Sequence, residues 1–260
     1  MPSADLATFL FEIASNERLA LLEAVLARPR KHTELTRTLD LTGSETTRHL
    51  SRLVAAGLVE KTGNGEYAPT PLARALWAGL PYLDFLATHR AFVATHDLTV
   101  LEPSFVARLG DLARGSFRQG AYEVVAVQEA ALRGVRRRAW VLTVQRFEQA
   151  LPILRAKMSE GVDVRVIRPR DLVEAERRDG RDVERNFPFR LLPDVRFFLA
   201  VLDDTAGLCL PSLDGRLDMA TMVFLADAAG YRWAEELFLR SWDRGREPPE
   251  GARPRGRAGR

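Results

Sequence analysis

The chain has 260 residues, 46% hydrophobic and 28% charged, with a formal net charge of +3. This composition is ordinary for a globular protein, at a length that suits about two domains, and it excludes extended disorder and collagen-like character. Its single cysteine, Cys209, excludes a disulfide framework, and without a long apolar run or basic leader we expect a cytoplasmic protein with no membrane span or signal peptide.

The first 70 residues are predicted to form helices followed by a β-hairpin. Thr42 and Glu45 have the spacing of a capping box, and Gly57 suits the left-handed residue that closes a helix. Gly63-Asn64-Gly65 supplies residues that tolerate a tight turn between two strands. The predicted helices span 5–27, 33–39 and 43–56, and the predicted strands span 58–61 and 66–68.

The remaining chain is predicted to be helical at first and then to alternate between helix and strand. A helix opens at Pro71, and residues 81–120 stay mostly helical. The later helices are predicted at 121–138, 146–160, from Pro169 onward and at 228–242, and the strands at 139–144, 162–168, 195–202 and 207–210. Strands separated by helices favour an α/β sheet.

These elements predict an α/β fold combined with an all-α, winged-helix head. We expect a winged helix-turn-helix over 1–76, a helical connector over 77–120, an α/β sensor domain over 121–243 and a disordered tail over 244–260. The tail contains six arginines against two glutamates. The connector contains more apolar residues than one face of a helix can bury, which favours a dimer interface. These residues are Leu80, Leu83, Phe85, Leu86, Phe92 and Val93.

The predicted helix 43–56 separates an apolar face from a polar, cationic face that suits a DNA major groove. Leu50, Leu53 and Val54 are expected to point inward. Arg48 and Arg52 can both point at a duplex, one toward guanine and the other toward phosphate. The residues predicted to contact double-stranded DNA are Lys31, Thr33, Ser44, Glu45, Thr47, Arg48, Ser51, Arg52, Lys61, Asn64 and Tyr67.

The charge of this region argues for more than one subunit. Between residues 28 and 74 there are eight basic and five acidic residues. Because phosphate contacts dominate affinity for DNA, we expect a homodimer to double them. Two alternatives remain open, since such helices also occur in plain helical domains and in protein-interaction adaptors.

Residues 44–59 resemble the recognition helix of prokaryotic ArsR-like winged-helix repressors, through their Arg-His-Leu…Leu…Ala-Gly-Leu-Val pattern. Many of those repressors sense metals through Cys or His clusters, which this sequence lacks, so metal sensing does not transfer. Residues 94–112 and 207–242 carry His-Asp-Leu, Asp-Gly-x-x-Asp and Trp-x-Glu-Glu-Leu-Phe. Together these resemble archaeal regulators related to the Fil-type methanogenesis regulator, with a middle domain after the winged helix. The resemblance implies a regulatory role without implying control of methanogenesis.

The region 121–243 contains no histidine, which excludes a Ser-His-Asp or Cys-His arrangement within it. The His-x-Lys signature of phospholipase D-like domains and the phosphate-binding loop are also absent from the sequence. We therefore expect no enzyme, no cofactor and no metal site, with a hydrolase carrying a regulatory head as an alternative. His89 and His96, seven residues apart, are interpreted as structural or interfacial.

A binding site for a small anionic effector is predicted at the carboxyl ends of the strands, where open α/β sheets place ligands. Thr143 and Gln145 follow the first strand and Arg168 follows the second. The alternative is that Arg168 and Arg170 pair with Glu174 or Asp171 at the surface. Cys209 is expected in the core, as are Trp140, Trp233 and Trp242, for which a pocket lining is the alternative.

Overall fold

The computed structural model describes residues 4–145, 148–178 and 188–247. The chain divides into two compact units, Met1–Leu80 and Pro81–Arg260, called here the N-terminal unit and the C-terminal unit. Most of the predicted tail 244–260 lies outside the described residues. Within the described ranges, no helix is both long and apolar enough to cross a membrane.

The N-terminal unit combines helices with a three-stranded antiparallel sheet of order β1-β3-β2. Its hydrophobic core is formed by fully buried side chains of three helices, among them Leu21, Leu35 and Leu53. The elements are α1 (Ala4–Ile13), α2 (Asn16–Ala27), β1 (Arg30–Lys31), α3 (His32–Thr38), α4 (Gly43–Ala55), β2 (Val59–Lys61), β3 (Glu66–Pro69) and α5 (Pro71–Thr88), which crosses the division between the units.

The single helix predicted over 5–27 is wrong, because α1 and α2 are separated at Ala14 and Ser15. The side chain of Arg18 is buried and donates hydrogen bonds to the backbone carbonyls of Phe11 (2.7 Å) and Glu12 (2.6 Å). These bonds satisfy carbonyl groups that the end of a helix leaves without partners. The apolar periodicity continues across the break, so it carries no signal of the turn.

The C-terminal unit is built on a seven-stranded mixed sheet of order β4-β10-β9-β8-β5-β6-β7. The pairs β5–β6 and β6–β7 are parallel, and the others are antiparallel. The elements are α6 (Arg90–Thr95), α7 (Pro103–Val106), β4 (Ser116–Gln119), α8 (Ala121–Gly134), β5 (Arg138–Leu142), α9 (Ala150–Ser159), β6 (Asp163–Pro169), α10 (Arg170–Arg178), β7 (Phe189–Leu192), β8 (Phe198–Leu202), β9 (Thr205–Cys209), β10 (Thr221–Leu225) and α11 (Ala228–Arg244), with 3-10 helices at Leu98–Val100 and Leu109–Leu112.

Each face of this sheet packs against helices, so the unit has two hydrophobic cores. On one face, Leu199 and Val201 of β8 pack with α11 residues such as Trp233. On the other face, Phe198 and Ala200 pack in a core that includes residues of α8 and α9. This alternation follows from the two-residue period of a strand, and it accounts for the nearly continuous apolar sequence of β8.

The apolar connector residues are used mainly within the C-terminal unit. Phe85 and Phe92 are buried in its core, and Leu86 and Val93 pack against that core, whereas Leu83 is 46% exposed. The apolar excess of residues 77–120 therefore no longer favours a dimer interface. The same region was predicted to be mostly helical, but it contains β4, which pairs with the distant β10.

Candidate nucleic-acid interface

The most distinctive surface of the N-terminal unit is the exposed face of α4. The helix begins at Thr42, whose hydroxyl accepts a hydrogen bond from the Glu45 backbone N–H (3.3 Å). The Glu45 carboxylate accepts one in return from the Thr42 N–H (2.9 Å), which confirms the predicted capping box. Hydrogen bonds from the Thr42 backbone and hydroxyl lower the pKa of Glu45. The carboxylate predicted to contact DNA is thus engaged in the cap.

The buried face of α4 consists of Thr46, His49, Leu50 and Leu53. These positions follow the i, i+3, i+4, i+7 spacing of one helix face. Val54, predicted to point inward, is 41% exposed because it lies at the edge of this arc. Beyond the helix, Gly57 has a φ of +70°, which confirms it as the left-handed closing residue.

The exposed face of α4 includes Ser44, Thr47, Arg48 and Ser51. The Thr47 hydroxyl donates to the Gly43 carbonyl (2.8 Å) and lies 3.0 Å from the Nε2 atom of His32, linking α4 to α3. The Arg48 guanidinium lies 3.4 Å from the His49 ring. Among the salt bridges of the described residues, none involves Arg48, so its charge is available to an external anion.

Arg52 differs from the prediction because its charge is already paired. Its guanidinium donates two hydrogen bonds to the carboxylate of Glu12 in α1, at 2.9 and 2.8 Å, and lies over the Phe11 ring. The hydrogen bond from Arg52 lowers the pKa of Glu12. The side chain of Arg52 is still 39% exposed. Among the described residues, the exposed face of α4 therefore carries one arginine without a salt bridge instead of two.

The predicted contacts outside α4 lie on α3 and on the β2–β3 hairpin. Lys31 and Thr33 are exposed at the start of α3, and Lys61 is exposed on β2 with its Nζ 5.9 Å from the centre of the Tyr67 ring. Asn64 shapes the hairpin turn, because its side chain accepts from the Glu66 N–H (3.3 Å) and donates to the Glu66 carboxylate (2.9 Å).

Ion pairs within the unit reduce the charge that it can offer to phosphate. Arg28 and Arg30 both pair with Glu34. Arg30 lies in β1 and Glu34 in α3, so the pair depends on how the strand enters the helix and helical spacing does not indicate it. Arg37, which the sequence analysis did not select, is exposed near the end of α3, and the salt bridges of the described part of the chain do not include it.

The three residues predicted to bind an effector line one cavity of about 120 Å³ in the C-terminal unit. Arg168 is buried within β6, and its guanidinium donates to the Glu176 carboxylate at 2.9 and 2.7 Å. The acid that pairs with Arg168 is therefore Glu176, in place of Glu174 or Asp171. The Thr143 hydroxyl donates to the backbone carbonyl of Gln145 (2.8 Å).

The histidines and the cysteine of the C-terminal unit have structural surroundings. The His89 ring stacks on Phe117 with centroids 4.1 Å apart, and buried His96 lies 3.2 Å from the Asp218 carboxylate. Burial raises the pKa of the Cys209 thiol to about 12, as expected for a core residue. Across the described ranges, no group of three or more His, Cys, Asp or Glu residues is placed to hold a metal ion.

Comparisons with known proteins find one family model that is similar to the N-terminal part of the chain. Residues 6–89 match the family model described as the HVO_A0261 N-terminal domain. No curated protein sequence matches the chain significantly.

Three similar solved structures share little sequence with this chain. TrmBL2, described as an archaeal chromatin protein with a novel mode of DNA binding, is 14% identical to this chain, and the TM-score is 0.40. The match covers 95% of this chain and 100% of the TrmBL2 chain. NucT from Helicobacter pylori is 11% identical, with a TM-score of 0.42 over 52% of this chain and 99% of its own. Nuc from Salmonella typhimurium, a phospholipase D family member, is 14% identical, with a TM-score of 0.38 over the same shares. These scores are too low to establish a shared fold.

Proposed function

We propose that the N-terminal unit is a winged helix-turn-helix domain that binds double-stranded DNA, and that the protein is a transcription regulator. The order of α2, α3, α4 and the β2–β3 hairpin is that of a winged helix-turn-helix. The observation that carries the proposal is the division of α4, which buries Leu50 and Leu53 and exposes Thr47, Arg48 and Ser51.

In this proposal α4 lies in the major groove, where Arg48 pairs with a guanine edge and Thr47 and Ser51 contact neighbouring bases or phosphates. Lys31 and Thr33 hold the backbone beside α3, and Lys61 holds it beside the hairpin. Arg52 already donates through Nε and Nη2 to Glu12, so a phosphate has to compete with Glu12 for a two-point contact with this guanidinium.

The resemblances found in the sequence agree with this assignment. Residues 44–59, which resemble ArsR-like repressors, form α4 and the start of β2. The match to the HVO_A0261 N-terminal domain begins within α1 and ends just after α5. We assign the protein to an archaeal type of regulator in which this head precedes a Fil-type middle domain.

The proposed regulator is a homodimer whose C-terminal unit senses an effector or supports the dimer. Arg28, Arg30 and Arg52 are paired within the subunit, so one copy offers few cations to phosphate. Two copies double that number, and affinity rises steeply with the number of phosphates neutralised. No catalytic role is assigned, since residues 121–243 contain no histidine.

The test is binding of the full-length protein to labelled promoter fragments and to random duplexes, measured by fluorescence anisotropy at several salt concentrations. We expect log Kd to vary linearly with the logarithm of the salt concentration, with a slope whose magnitude is about 0.9 for each phosphate contacted. We also expect at least one promoter fragment to bind more tightly than random DNA. Failure to bind any duplex at low salt would show the proposal to be wrong.

A protein-interaction adaptor is the second candidate, favoured by apolar side chains on the surface of the N-terminal unit. Phe11 is 59% exposed and Leu72 is 47% exposed, and Leu6, Leu10 and Val54 are also exposed. Exposed apolar clusters mark interaction surfaces. An adaptor would show no salt-dependent affinity for DNA, so the anisotropy measurement separates the two functions.

A further inference from the structure

A cavity in the C-terminal unit lies between one face of the sheet and the helices α8 and α9. Its volume is about 120 Å³, and its walls include Leu132, Leu154, Val166, Phe198 and Ala200. An apolar cavity of about 150 Å³ in another protein stays dry and binds benzene. The space therefore suits a small molecule of about one ring.

The exposed fraction of the side chains alternates along β8, and the side chains that line the cavity are the more exposed ones. Ala200 and Leu202 face the cavity, and each is 7% exposed, whereas Leu199 and Val201, on the opposite face, are fully buried. The residual exposure thus follows one face of the strand, as expected when that face borders an open space.

The charges around the cavity are paired inside the protein. Arg168, at the cavity wall, donates one hydrogen bond from Nη1 and one from Nη2 to the Glu176 carboxylate, and both side chains are 5% exposed. Glu129, at the rim, pairs with Arg133 at 2.6 Å. An anionic ligand would have to compete with Glu176 for Arg168, and it would bring an unpaired charge into an apolar space.

Polar groups that remain for a ligand lie at the rim. Gln145 and Gln149 line the cavity and are exposed, and amides both donate and accept hydrogen bonds. The Thr143 hydroxyl is already bonded to the Gln145 backbone. The cavity thus has a mainly apolar lining, with neutral hydrogen-bonding groups at its opening.

We propose that this cavity binds a neutral, predominantly apolar small molecule of about one ring, with a single hydrogen-bonding group at the rim. This replaces the anionic effector expected from the sequence. The assignment specifies the ligand class for the sensing role in the proposed function, but occupancy of the cavity does not depend on DNA binding.

The test uses two probes of the same shape, benzyl alcohol and benzoate, titrated into the full-length protein and followed by ligand-observed NMR. We expect benzyl alcohol to bind at least about tenfold more tightly than benzoate, because burying the carboxylate is unfavourable. Equal or tighter binding of benzoate, or no binding of benzyl alcohol, would overturn the proposal. This comparison on the unmodified protein stands whatever the variants below do.

Two variants that fill the space locate the site. Ala200→Leu adds carbons to the sheet wall, and Ala150→Leu adds them at the start of α9, where the residue is only half-buried. Both should weaken benzyl alcohol binding at least about tenfold, because the added carbons occupy the empty volume, and the Tm of each variant checks that it is folded. Unchanged binding in both folded variants would place the probe elsewhere and contradict the inference.

A control variant separates this inference from the proposed function. Arg48→Ala should leave benzyl alcohol binding unchanged, because Arg48 is not among the residues that line the cavity. If the protein binds benzyl alcohol but no DNA, the ligand site stands and the regulator assignment is wrong. If it binds DNA but neither probe, only the ligand inference is wrong.

Discussion

Arg48 and Arg52 lie four residues apart on α4 but differ in their electrostatic surroundings. Arg52 is paired with Glu12, whereas Arg48 is exposed, and none of the salt bridges of the described residues includes it. Both residues are arginines on the same helix, so residue type does not explain the difference. It arises from α1, which supplies Glu12 as the partner of Arg52. The two arginines should therefore contribute differently to DNA binding.

For Arg48→Ala, we expect a loss of about 1–3 kcal/mol in binding to the preferred sequence and a weaker preference at one base pair. The measurement is anisotropy on the preferred site and on single-base variants of it. Arg74→Ala is the matched control, because Arg74 is also exposed but lies on α5, away from the predicted contacts. Equal loss on every sequence would assign Arg48 to phosphate instead of a base.

For Glu12→Gln, we expect tighter DNA binding at low salt, because Arg52 loses its internal partner and becomes available to phosphate. The salt dependence of log Kd should steepen by about 0.9 for one added phosphate contact. Glu23→Gln is the control, since it removes the same charge from an exposed position on α2. The same steepening in both variants would show that net charge, and not release of Arg52, is responsible.

At the scale of elements, the turn between β8 and β9 is tied to the start of β5 by one carboxylate. Asp203 accepts hydrogen bonds from the backbone N–H groups of Arg136, Arg137 and Arg138, each at 2.9 Å. Burial alone would raise the pKa of Asp203, but these three hydrogen bonds outweigh it and lower the pKa. The carboxylate thus holds two segments together in its charged form.

For Asp203→Asn, we expect unfolding to become easier by about 1 kcal/mol at pH 7, because a charge-assisted acceptor is lost. Asparagine tolerates the φ of +37° at this position, so the variant tests charge and not backbone strain. The pKa of Asp203 is lower in the folded state, so its stabilisation is present above about pH 4 and disappears as the pH falls through the folded-state pKa.

Urea unfolding of the Asp203→Asn variant and the parent protein from pH 7 down to pH 4 and below checks this expectation. The difference in unfolding free energy should shrink toward the acidic end. Asp204→Asn, at the exposed neighbouring position, should show little difference at any pH. A difference for Asp203→Asn that does not change with pH would mean that the carboxylate charge is not the stabilising feature.

At the scale of the whole molecule, we expect a homodimer that binds two half-sites. Sedimentation should give a mass of twice 29.1 kDa at concentrations that bind DNA. A site with two half-sites about 10 base pairs apart should bind far more tightly than a single half-site. A monomeric mass with full affinity for one half-site would contradict this expectation.

The elements that the sequence predicted well are those with signals inside a few neighbouring residues. Thr42 and Glu45 form the capping box, Gly57 closes α4, and the strands beside Gly65 form the hairpin. By contrast, β4 has no local signal, since it pairs with β10 about a hundred residues later. The break between α1 and α2 does have a local signal that was missed, because the Ser15 side chain caps α2 by accepting a hydrogen bond from the Arg18 N–H (3.4 Å).

The sequence by itself determined α3, α4, the β2–β3 hairpin and the candidate contact face of α4, because caps, turns and apolar periodicity act between near neighbours. Only the tertiary structure decided which charges remain available, by pairing Arg52 with Glu12 and Arg168 with Glu176. It also buried Phe85 and Phe92 within the C-terminal unit. Burial and ion pairing depend on which elements meet in space, so spacing along α4 does not indicate that Glu12 neutralises Arg52.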